Sequence, residues 1–269
     1  MDIFSIIILG LVQGVTEWIP ISSKTQVTFV YLQFLNGSTS SILPILLYGH
    51  LGTLLAAGIY FRKELSNIVR LFFSRSDTES MQSRGKVGFL FTALVLTGIV
   101  GIPLLLIEQR YFPSFDAGLL YAVMGLGLII TGVLLLTHRE ENTKTKDEVT
   151  WKDGIITGLL QGFSTLPGIS RSGTSTTGLI WRGFDSSSSF YLSFLLSIPT
   201  VIVAELFLYI GGGLTTFPVA DGVLLFFVSF VTGYLTLDGL LRIVQKVNMA
   251  YVVFALGAVI ILVGLFGIG

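Results

Sequence analysis

The sequence predicts an all-α protein that crosses a membrane several times, and composition and segment length both support this prediction. Fifty-two per cent of the 269 residues are hydrophobic and only 12% are charged, with a mean hydropathy of +0.83. Soluble domains carry about 25% charged residues, so a soluble domain is excluded. The zero net charge argues against nucleic acid as a partner, and the absence of cysteine excludes thiol chemistry and disulfides.

Six segments are long enough to cross a bilayer. A spanning helix needs about 20 predominantly apolar residues to cross about 30 Å of hydrocarbon. The segments that meet this requirement are 41–61, 87–107, 117–137, 188–212, 217–240 and 249–266. We therefore expect six spanning helices.

Two further apolar segments, 3–12 and 154–160, are too short to span, since ten helical residues reach only about 15 Å. Each is followed by a polar segment, QGVTEWIPISSKTQ at 13–26 and QGFSTLPGISRSGTST at 161–176. Non-helical backbone at membrane depth is tolerated only where it is buried in protein or lines a cavity. This pattern favours two re-entrant helix–loop–helix hairpins. The alternative is one kinked, polar spanning helix at each place.

The two polar segments are also related to each other, because seven of nineteen positions are identical at a constant offset of 148 residues. The matched residues are Gly10, Leu11, Gln13, Gly14, Ile21, Ser22 and Thr28, with Gly158, Leu159, Gln161, Gly162, Ile169, Ser170 and Thr176. Each repeat then holds one hairpin and three crossings, and because three is odd, the second repeat must be inverted. We expect one membrane domain, with repeat 1 at 1–137, a linker at 138–153 whose mixed-charge run 143–150 is solvated, and repeat 2 at 154–269.

The distribution of Lys and Arg predicts the orientation of the chain. Twelve of these residues fall on one side under this topology and only Arg110 on the other, a strong positive-inside bias. The loops at 62–86, 138–153 and 241–248 are therefore expected in the cytoplasm of a multi-pass plasma-membrane protein. Hairpin 1 would enter from outside and hairpin 2 from the cytoplasm.

Arg171 is the most informative polar residue, since a charge at the centre of a membrane helix costs about 2.5–3.5 kcal/mol. One interpretation is a structural ion pair with Glu17 across the repeat interface. The other is an anion site, because SRSG at 170–173 offers two hydroxyls and a guanidinium fork suited to phosphate. Gly173 would let backbone N–H groups approach, and a helix starting near Thr174 would point its positive end at the same anion.

Glu17 complements this anion site in three alternative ways. It is a counter-ion for Arg171, a ligand for a divalent cation such as Mg²⁺ or Ca²⁺, or a general base toward water or a hydroxyl. Gln13 lies four residues earlier on the same helical face and can orient Glu17 or ligate through its carbonyl. The surrounding hydroxyls are candidate nucleophiles or phosphate ligands: Ser22, Ser23, Ser170, Ser172 and Ser175.

The paired motifs QGVTEWIPISS and PGISRSGTS closely resemble the undecaprenyl-diphosphate phosphatase family, the bacitracin-resistance membrane phosphatases. The likeness covers nearly the whole chain, including HLGTLLA at 50–56. It implies two inverted repeats with re-entrant hairpins, and removal of the terminal phosphate from a C55 polyprenyl diphosphate with the help of a divalent metal. The family's motif residues fall on Gln13, Glu17, Ser22, Ser23, Ser170, Arg171, Ser172 and Gly173.

The chain departs from the family pattern at several positions. Gln26 stands where the family commonly has histidine, preceded by Lys24 and Thr25, and Ser175 stands where it has threonine. A second acid of the family, often glutamate, is here Gln13. Loss of the histidine removes a proposed base or phosphoryl acceptor.

Other embedded polar residues are open to more than one interpretation. His50, inside the span 41–61, is either a replacement for the missing histidine or a core histidine bonded to a backbone carbonyl. Lys24 either adds positive charge at the phosphate or extends to the interface. Glu205 and Asp238 favour packing or helix-end pairing, with a proton or ion pathway as the alternative.

These observations predict a polyprenyl-diphosphate phosphatase that recycles a lipid carrier of cell-envelope synthesis. Its partners would be the polyprenyl diphosphate and membrane lipids, and a homo-oligomer is left open. One alternative is a transporter (flippase) that moves polyprenyl phosphate through alternating access; another is an ion-coupled transporter of small solutes. The predicted catalytic residues are Glu17, His50, Ser170 and Arg171, with Glu17 also the metal ligand. The predicted substrate-binding residues are Gln13, Ser22, Ser23, Lys24, Gln26, Ser172, Gly173 and Ser175.

Overall fold

The computed structural model describes residues 1–73, 81–137, 142–210, 217–244 and 246–267. Within these residues the chain forms eleven α-helices and no β-sheet. The helices are α1 (Ile3–Thr16), α2 (Ser23–Phe34), α3 (Ile42–Tyr60), α4 (Arg62–Phe73), α5 (Met81–Tyr111), α6 (Ala117–Leu136), α7 (Trp151–Gly162), α8 (Arg171–Trp181), α9 (Ser186–Ile210), α10 (Val219–Val244) and α11 (Met249–Phe266).

Six of the described helices, α3, α5, α6, α9, α10 and α11, are long and apolar enough to cross a membrane. The prediction of an all-α polytopic membrane protein is therefore confirmed. Large apolar side chains face outward on these helices, as lipid contact requires: Leu235 is 74% exposed and Leu265 is 69% exposed. The predicted bounds are close for five spans, while α5 begins six residues before and ends four residues after the predicted span.

The two hairpins are present, but their helices are longer than the apolar pattern suggests. Helix α1 continues to Thr16 and packs beside α2, which begins at Ser23. Helix α1 reaches about 21 Å, short of a full crossing. Helix α8 begins at Arg171, so the expected start near Thr174 is wrong. The reason is that the Ser170 hydroxyl accepts the Gly173 N–H at 3.2 Å and caps the helix three residues earlier.

The first helix of each hairpin packs against a spanning helix of the other repeat. On α1, a methyl group added to Gly10 or Gly14 would lie 2.6 Å from side chains of α10. On α7, a methyl group added to Gly158 or Gly162 would lie 2.5 Å from atoms of α5. The two glycine pairs are related by the 148-residue offset, so equivalent residues make reciprocal close contacts. This is the packing expected of two repeats related by a two-fold axis.

The segment between the repeats is docked onto hairpin 2 on one side, while Thr143, Thr145, Glu148 and Thr150 are exposed. The Asn142 side-chain amide donates to the carbonyls of Ile180 and Phe184, at 2.7 and 3.1 Å. Lys144 bonds to the fully buried carboxylate of Asp153 at 2.8 Å. Its backbone also forms a parallel bridge to Phe184. The remaining predicted linker residues, 138–141, lie outside the described residues.

Candidate active site

The loops of the two hairpins meet beside a cavity of about 550 Å³. Its polar wall includes Glu17 and Ser23 from hairpin 1 and Ser170 and Arg171 from hairpin 2. Helices α3, α5 and α9 supply most of the remaining lining, with Leu120 and Met124 of α6, and this part is mainly apolar. The structure thus brings the two polar segments of the sequence into one site.

The Glu17 carboxylate is the centre of this polar wall and is only 7% exposed. Its Oε1 pairs with Nη2 of Arg171. Its Oε2 accepts hydrogen bonds from Nε2 of Gln13 at 2.8 Å and from the hydroxyl of Ser23 at 2.6 Å. Nε2 of His50 lies 3.7 Å from the same oxygen. Four cationic or donor groups from four helices therefore converge on one buried carboxylate.

The end of α1 holds Glu17 in place. The Glu17 N–H donates to the Gln13 carbonyl at 3.1 Å, and this is the last helical hydrogen bond of α1. The next residue, Trp18, is 1% exposed, and its indole N–H donates to the Gly233 carbonyl of α10 at 3.1 Å. Since the tryptophan is anchored in the core, the adjacent carboxylate has little freedom to leave the cavity wall.

The backbone of loop 1 turns sharply between Glu17 and α2. Ser22 has φ +60°, in the left-handed region that a side chain disfavours. Its hydroxyl shares a 3.0 Å hydrogen bond with the hydroxyl of Thr25. The turn directs Ser23, the first residue of α2, back toward Glu17. Strained backbone of this kind is often found at functional sites.

The second loop is held by the Ser170 cap and by α6. The Ser170 N–H donates to the Thr131 hydroxyl at 3.0 Å, and the Ser170 hydroxyl lies 3.2 Å from the Ser172 hydroxyl. The loop also contacts hairpin 1 directly, because the Gly168 N–H donates to the hydroxyl of Thr25 on α2 at 2.9 Å. These bonds place Arg171, the first residue of α8, opposite Glu17.

His50 does not have the surroundings expected of a core histidine bonded to a backbone carbonyl. Its Nδ1 lies 2.9 Å from Oε1 of Glu205 on α9, and its Nε2 faces Glu17. Glu205 was expected to serve packing or helix-end pairing, but the structure places it in the cavity wall. Asp238, the other embedded acid, pairs with Arg242 at 2.7 Å on the protein surface, as helix-end pairing predicts.

Lys24 pairs with Glu108, an acid that sequence reasoning missed. The Lys24 ammonium also donates to the Thr165 carbonyl at 3.2 Å, so it joins α2, α5 and the second loop. Glu108 lies one residue beyond the predicted span 87–107, where an acid reads as an ordinary helix-end residue. The position of Glu108 directly after an apolar span could have marked it as an embedded acid. Its partner Lys24 lies 84 residues away in the chain, so the sequence could not indicate the pair.

Four predicted substrate-binding residues do not line the cavity. The Gln26 amide donates to the Ile21 carbonyl at 2.9 Å, and Gly173 packs against Thr131. Ser175 bonds to the Ser193 hydroxyl at 2.6 Å, and Nε2 of Gln13 donates to Glu17 at 2.8 Å. The physical reason is helical geometry: these residues lie on helix faces turned into the protein interior. Their side chains contact other parts of the protein in this structure, and a substrate-binding role for them stays a prediction. The predicted residues that line the cavity are Glu17, Ser22, Ser23, Lys24, His50, Ser170, Arg171 and Ser172.

The donors in the site provide at most part of a metal site. In the described part of the chain, no three His, Asp or Glu side chains are grouped to hold a metal ion. Both oxygens of Glu17 already have partners. However, Oε1 of Gln13 is buried and has no hydrogen-bond partner. Such a set suits a hard cation that also takes phosphate oxygens and water, as Mg²⁺ often does.

The fold and the site together define a polytopic membrane protein with a buried Glu17–Arg171 pair at the meeting of two re-entrant hairpins. Residues 6–264 match the family described as bacitracin resistance protein BacA, and the chain belongs to this family.

Curated relatives with similar sequences carry one name. An undecaprenyl-diphosphatase of Methanococcoides burtonii is 39% identical over 263 residues, which cover 95% of this chain and 96% of the relative. An undecaprenyl-diphosphatase of Methanothrix thermoacetophila is 34% identical over 260 residues, with 96% of each chain covered. One from Haloarcula marismortui is 34% identical over 241 residues, covering 90% of this chain and 89% of the relative.

Proposed function

We propose that this protein hydrolyses undecaprenyl diphosphate to the monophosphate carrier lipid and inorganic phosphate. Membership of the BacA family and the name shared by its relatives support this activity. The structural observation that carries the proposal is the Ser23 hydroxyl, 2.6 Å from the buried Glu17 carboxylate, which also pairs with Arg171. A hydroxyl, a base and a guanidinium in contact are the parts that phosphoryl transfer requires.

The terminal phosphate would bind between Arg171 and the α8 N-terminus. The guanidinium can give two parallel hydrogen bonds to phosphate oxygens, and the helix N-terminus adds favourable partial charge. Lys24, which pairs with Glu108, is a second cationic side chain in the same wall and would turn toward the diphosphate. These three features neutralise charge on the diphosphate as the bridging bond breaks.

Glu17 would act as the general base. It accepts the proton of the Ser23 hydroxyl, or of a water in the same position, as the new bond to phosphorus forms. The bond from the terminal phosphorus to the bridging oxygen breaks, and the lipid monophosphate leaves with the bridging oxygen. If Ser23 attacks, water then cleaves the phosphoserine and releases phosphate. Within the described contacts Ser170 has no base beside it, since its hydroxyl contacts Ser172 and Gly173. We therefore propose Ser170 as a phosphate ligand.

The apolar part of the cavity would receive the first isoprene units of the lipid. Leu94, Ile102 and Leu105 of α5 and Val203 and Phe207 of α9 line it. Isoprene units carry no polar groups, so burial against these side chains is favourable. The polar and apolar walls together match an amphipathic phospholipid substrate.

A divalent cation would bind together with the diphosphate, with the unpartnered Oε1 of Gln13 and the neighbouring Glu17 as protein ligands. Bound there, the cation would supply charge neutralisation for the phosphate oxygens. Phosphate release is expected to fall on addition of EDTA and to return with Mg²⁺ or Ca²⁺. Unchanged release in EDTA would contradict this role.

The basic loops are proposed to face the cytoplasm of the plasma membrane, from the twelve-to-one bias of Lys and Arg. The chain has no cysteine, so single cysteines can be introduced at exposed Lys152, beside the linker, and at exposed Ser114, between α5 and α6. An impermeant thiol reagent added outside cells is expected to label only Ser114→Cys. Labelling of Lys152→Cys from outside would contradict the orientation.

Two serine variants test the chemical step. Ser23→Ala is expected to lower the turnover of undecaprenyl diphosphate by at least about 10²-fold, because it removes the hydroxyl that contacts the base. Ser170→Ala is expected to raise KM more than it lowers kcat. Wild-type turnover in Ser23→Ala would leave water as the nucleophile. A larger loss of kcat in Ser170→Ala than in Ser23→Ala would make Ser170 the nucleophile. Phosphate release by the wild type itself separates an enzyme from the polyprenyl-phosphate transporter.

A further inference from the structure

The imidazole of His50 lies between two carboxylates that come from different parts of the chain. His50 is on α3, near the middle of the first spanning helix, and Glu205 is on α9, 155 residues later. Nδ1 of His50 is 2.9 Å from Oε1 of Glu205, within hydrogen-bond distance. On the other side of the ring, Nε2 is 3.7 Å from Oε2 of Glu17. The three side chains form a row from α9 to the proposed base.

Packing alone does not explain why a glutamate occupies this position. The Glu205 side chain is 8% exposed. Its second oxygen, Oε2, is buried without a hydrogen-bond partner in the described residues. An embedded carboxylate is costly in a membrane span, and an unsatisfied oxygen adds to that cost. If only helix packing were required here, an apolar residue would cost less free energy of burial than a glutamate.

The contact with Glu205 determines which ring nitrogen of His50 is available in the cavity. Because an ionised carboxylate can only accept a hydrogen bond, we expect the Nδ1 that faces Glu205 to carry a proton. Nε2 is then directed at the space beside Glu17. The 3.7 Å separation is too long for a direct hydrogen bond. A water or a phosphate oxygen can therefore lie against both groups.

We propose that Glu205 is a positioning residue that orients His50 toward the reacting phosphate beside Glu17. This inference rests on the proposed function and adds a residue to it. Glu205 acts through His50: it fixes the ring by the Nδ1–H hydrogen bond and stabilises positive charge on the ring. His50 in turn presents Nε2 to the phosphate or to the attacking water. Glu205 lines the same cavity as His50 and Glu17, while its Oε2 is buried without a partner in the described residues.

Asp238 provides a matched control for the removal of a carboxylate. It also lies on a spanning helix, α10, and contacts the Tyr60 hydroxyl at 3.2 Å and Arg242 at 2.7 Å. Its side chain is 55% exposed, and it does not line the cavity. Asp238→Asn therefore changes the charge of a span without touching the row of three side chains.

The test is a double-mutant cycle on phosphate release from undecaprenyl diphosphate by the reconstituted protein. Glu205→Gln keeps the shape, but its amide can donate to Nδ1 and so favours the opposite tautomer. We expect Glu205→Gln and His50→Gln each to lower kcat by about 10²- to 10⁴-fold, with little change in KM. The double variant should be no slower than His50→Gln alone, because Glu205 acts only through His50. Glu205→Asp should recover part of the loss, and Asp238→Asn should match the wild type.

Two outcomes for kcat overturn the inference. One is a wild-type kcat in Glu205→Gln. The other is a double variant in which the two losses of kcat multiply, because this would show that Glu205 acts independently of His50. A folding defect in any variant is recognised by a lower thermal midpoint.

The tautomer of His50 can be measured without a variant of Glu205. The chain has two histidines, so ¹⁵N-histidine NMR of a His138→Gln variant reports on His50 alone. We expect Nδ1 to carry a proton; an unprotonated Nδ1 would contradict the proposal. This readout stands even if the wild type releases no phosphate, a result that would defeat the proposed function instead.

Discussion

Glu17 and Arg171 lie 154 residues apart in the chain, and their side chains pair where the loops of the two hairpins meet. Each residue belongs to one repeat, so the pair forms only when both repeats are folded together. The contact also places a carboxylate where the guanidinium would bind a phosphate oxygen. Under the proposed function, a bound phosphate would share Arg171 with Glu17, so the pair would couple phosphate binding to release of the proposed base.

Arg171→Lys tests the role of the guanidinium fork. Lysine keeps the positive charge and can still pair with Glu17, but it cannot give two parallel hydrogen bonds to a phosphate. Loss of one bond to a charged group corresponds to about 10- to 100-fold in kcat/KM. The measurement is steady-state phosphate release, with folding checked by thermal denaturation. Wild-type kcat/KM in this variant would leave Arg171 as a structural ion-pair partner only.

Gly168→Ala tests how closely the second loop must pack. Gly168 has φ +86°, and a methyl group there would lie 2.0 Å from the Met124 carbonyl oxygen. The backbone strain costs about 1–2 kcal/mol, and the overlap must also move the loop that carries Arg171. We expect loss of most phosphate release together with a lower thermal midpoint.

Gly183→Ala is the matched control for this variant. Gly183 has a similar φ of +88°, but an added methyl group would meet nothing within 4 Å. It should therefore show the cost of backbone strain alone and keep near-normal turnover. Equal losses in Gly168→Ala and Gly183→Ala would contradict the argument from close packing.

Asp153→Asn tests the docked linker, outside the six spanning helices. Burial alone would raise the pKa of Asp153, but hydrogen bonds from Lys144, Arg182 and Thr150 hold this pKa below its ordinary value of 3.8. Removing the charge leaves both cations without their partner, at a cost of about 2 kcal/mol in the free energy of unfolding. We expect a lower thermal midpoint, measured for the purified protein.

The pH dependence of that difference follows from the lowered pKa. A carboxylate with a depressed folded-state pKa contributes stability above its unfolded pKa, and this stability is lost as pH falls through the folded value. The difference in the free energy of unfolding between the wild type and Asp153→Asn should therefore stay constant from neutral pH to about pH 4 and become smaller below that pH. A difference that is absent at neutral pH would show that the ion pairs contribute nothing there.

Sequence reasoning predicted the spans and the central residues of the site for clear physical reasons. Span length and composition are local properties, so the six crossings could be counted directly. Glu17 and Arg171 stood out because charged residues are costly in apolar surroundings. Helix ends were less accurate, since Ser170 caps α8 and extends it across polar residues that hydropathy excludes from a helix.

The pairings across the cavity could not be predicted in the same way. Lys24 with Glu108 and His50 with Glu205 join helices far apart in the chain, and no periodicity reports such contacts. The choice between hydroxyls also needed the structure. Only geometry shows that Ser23 contacts the carboxylate of Glu17.

The most direct test of the account is phosphate release from undecaprenyl diphosphate by purified protein in vesicles, comparing the wild type with Glu17→Gln. Glutamine keeps the size of the side chain but cannot take the proton of Ser23 or water. We predict phosphate release by the wild type and a loss of at least about 10²-fold in Glu17→Gln, with the variant still folded by its thermal midpoint. No phosphate release by the folded wild type, or equal release by Glu17→Gln, would contradict the account.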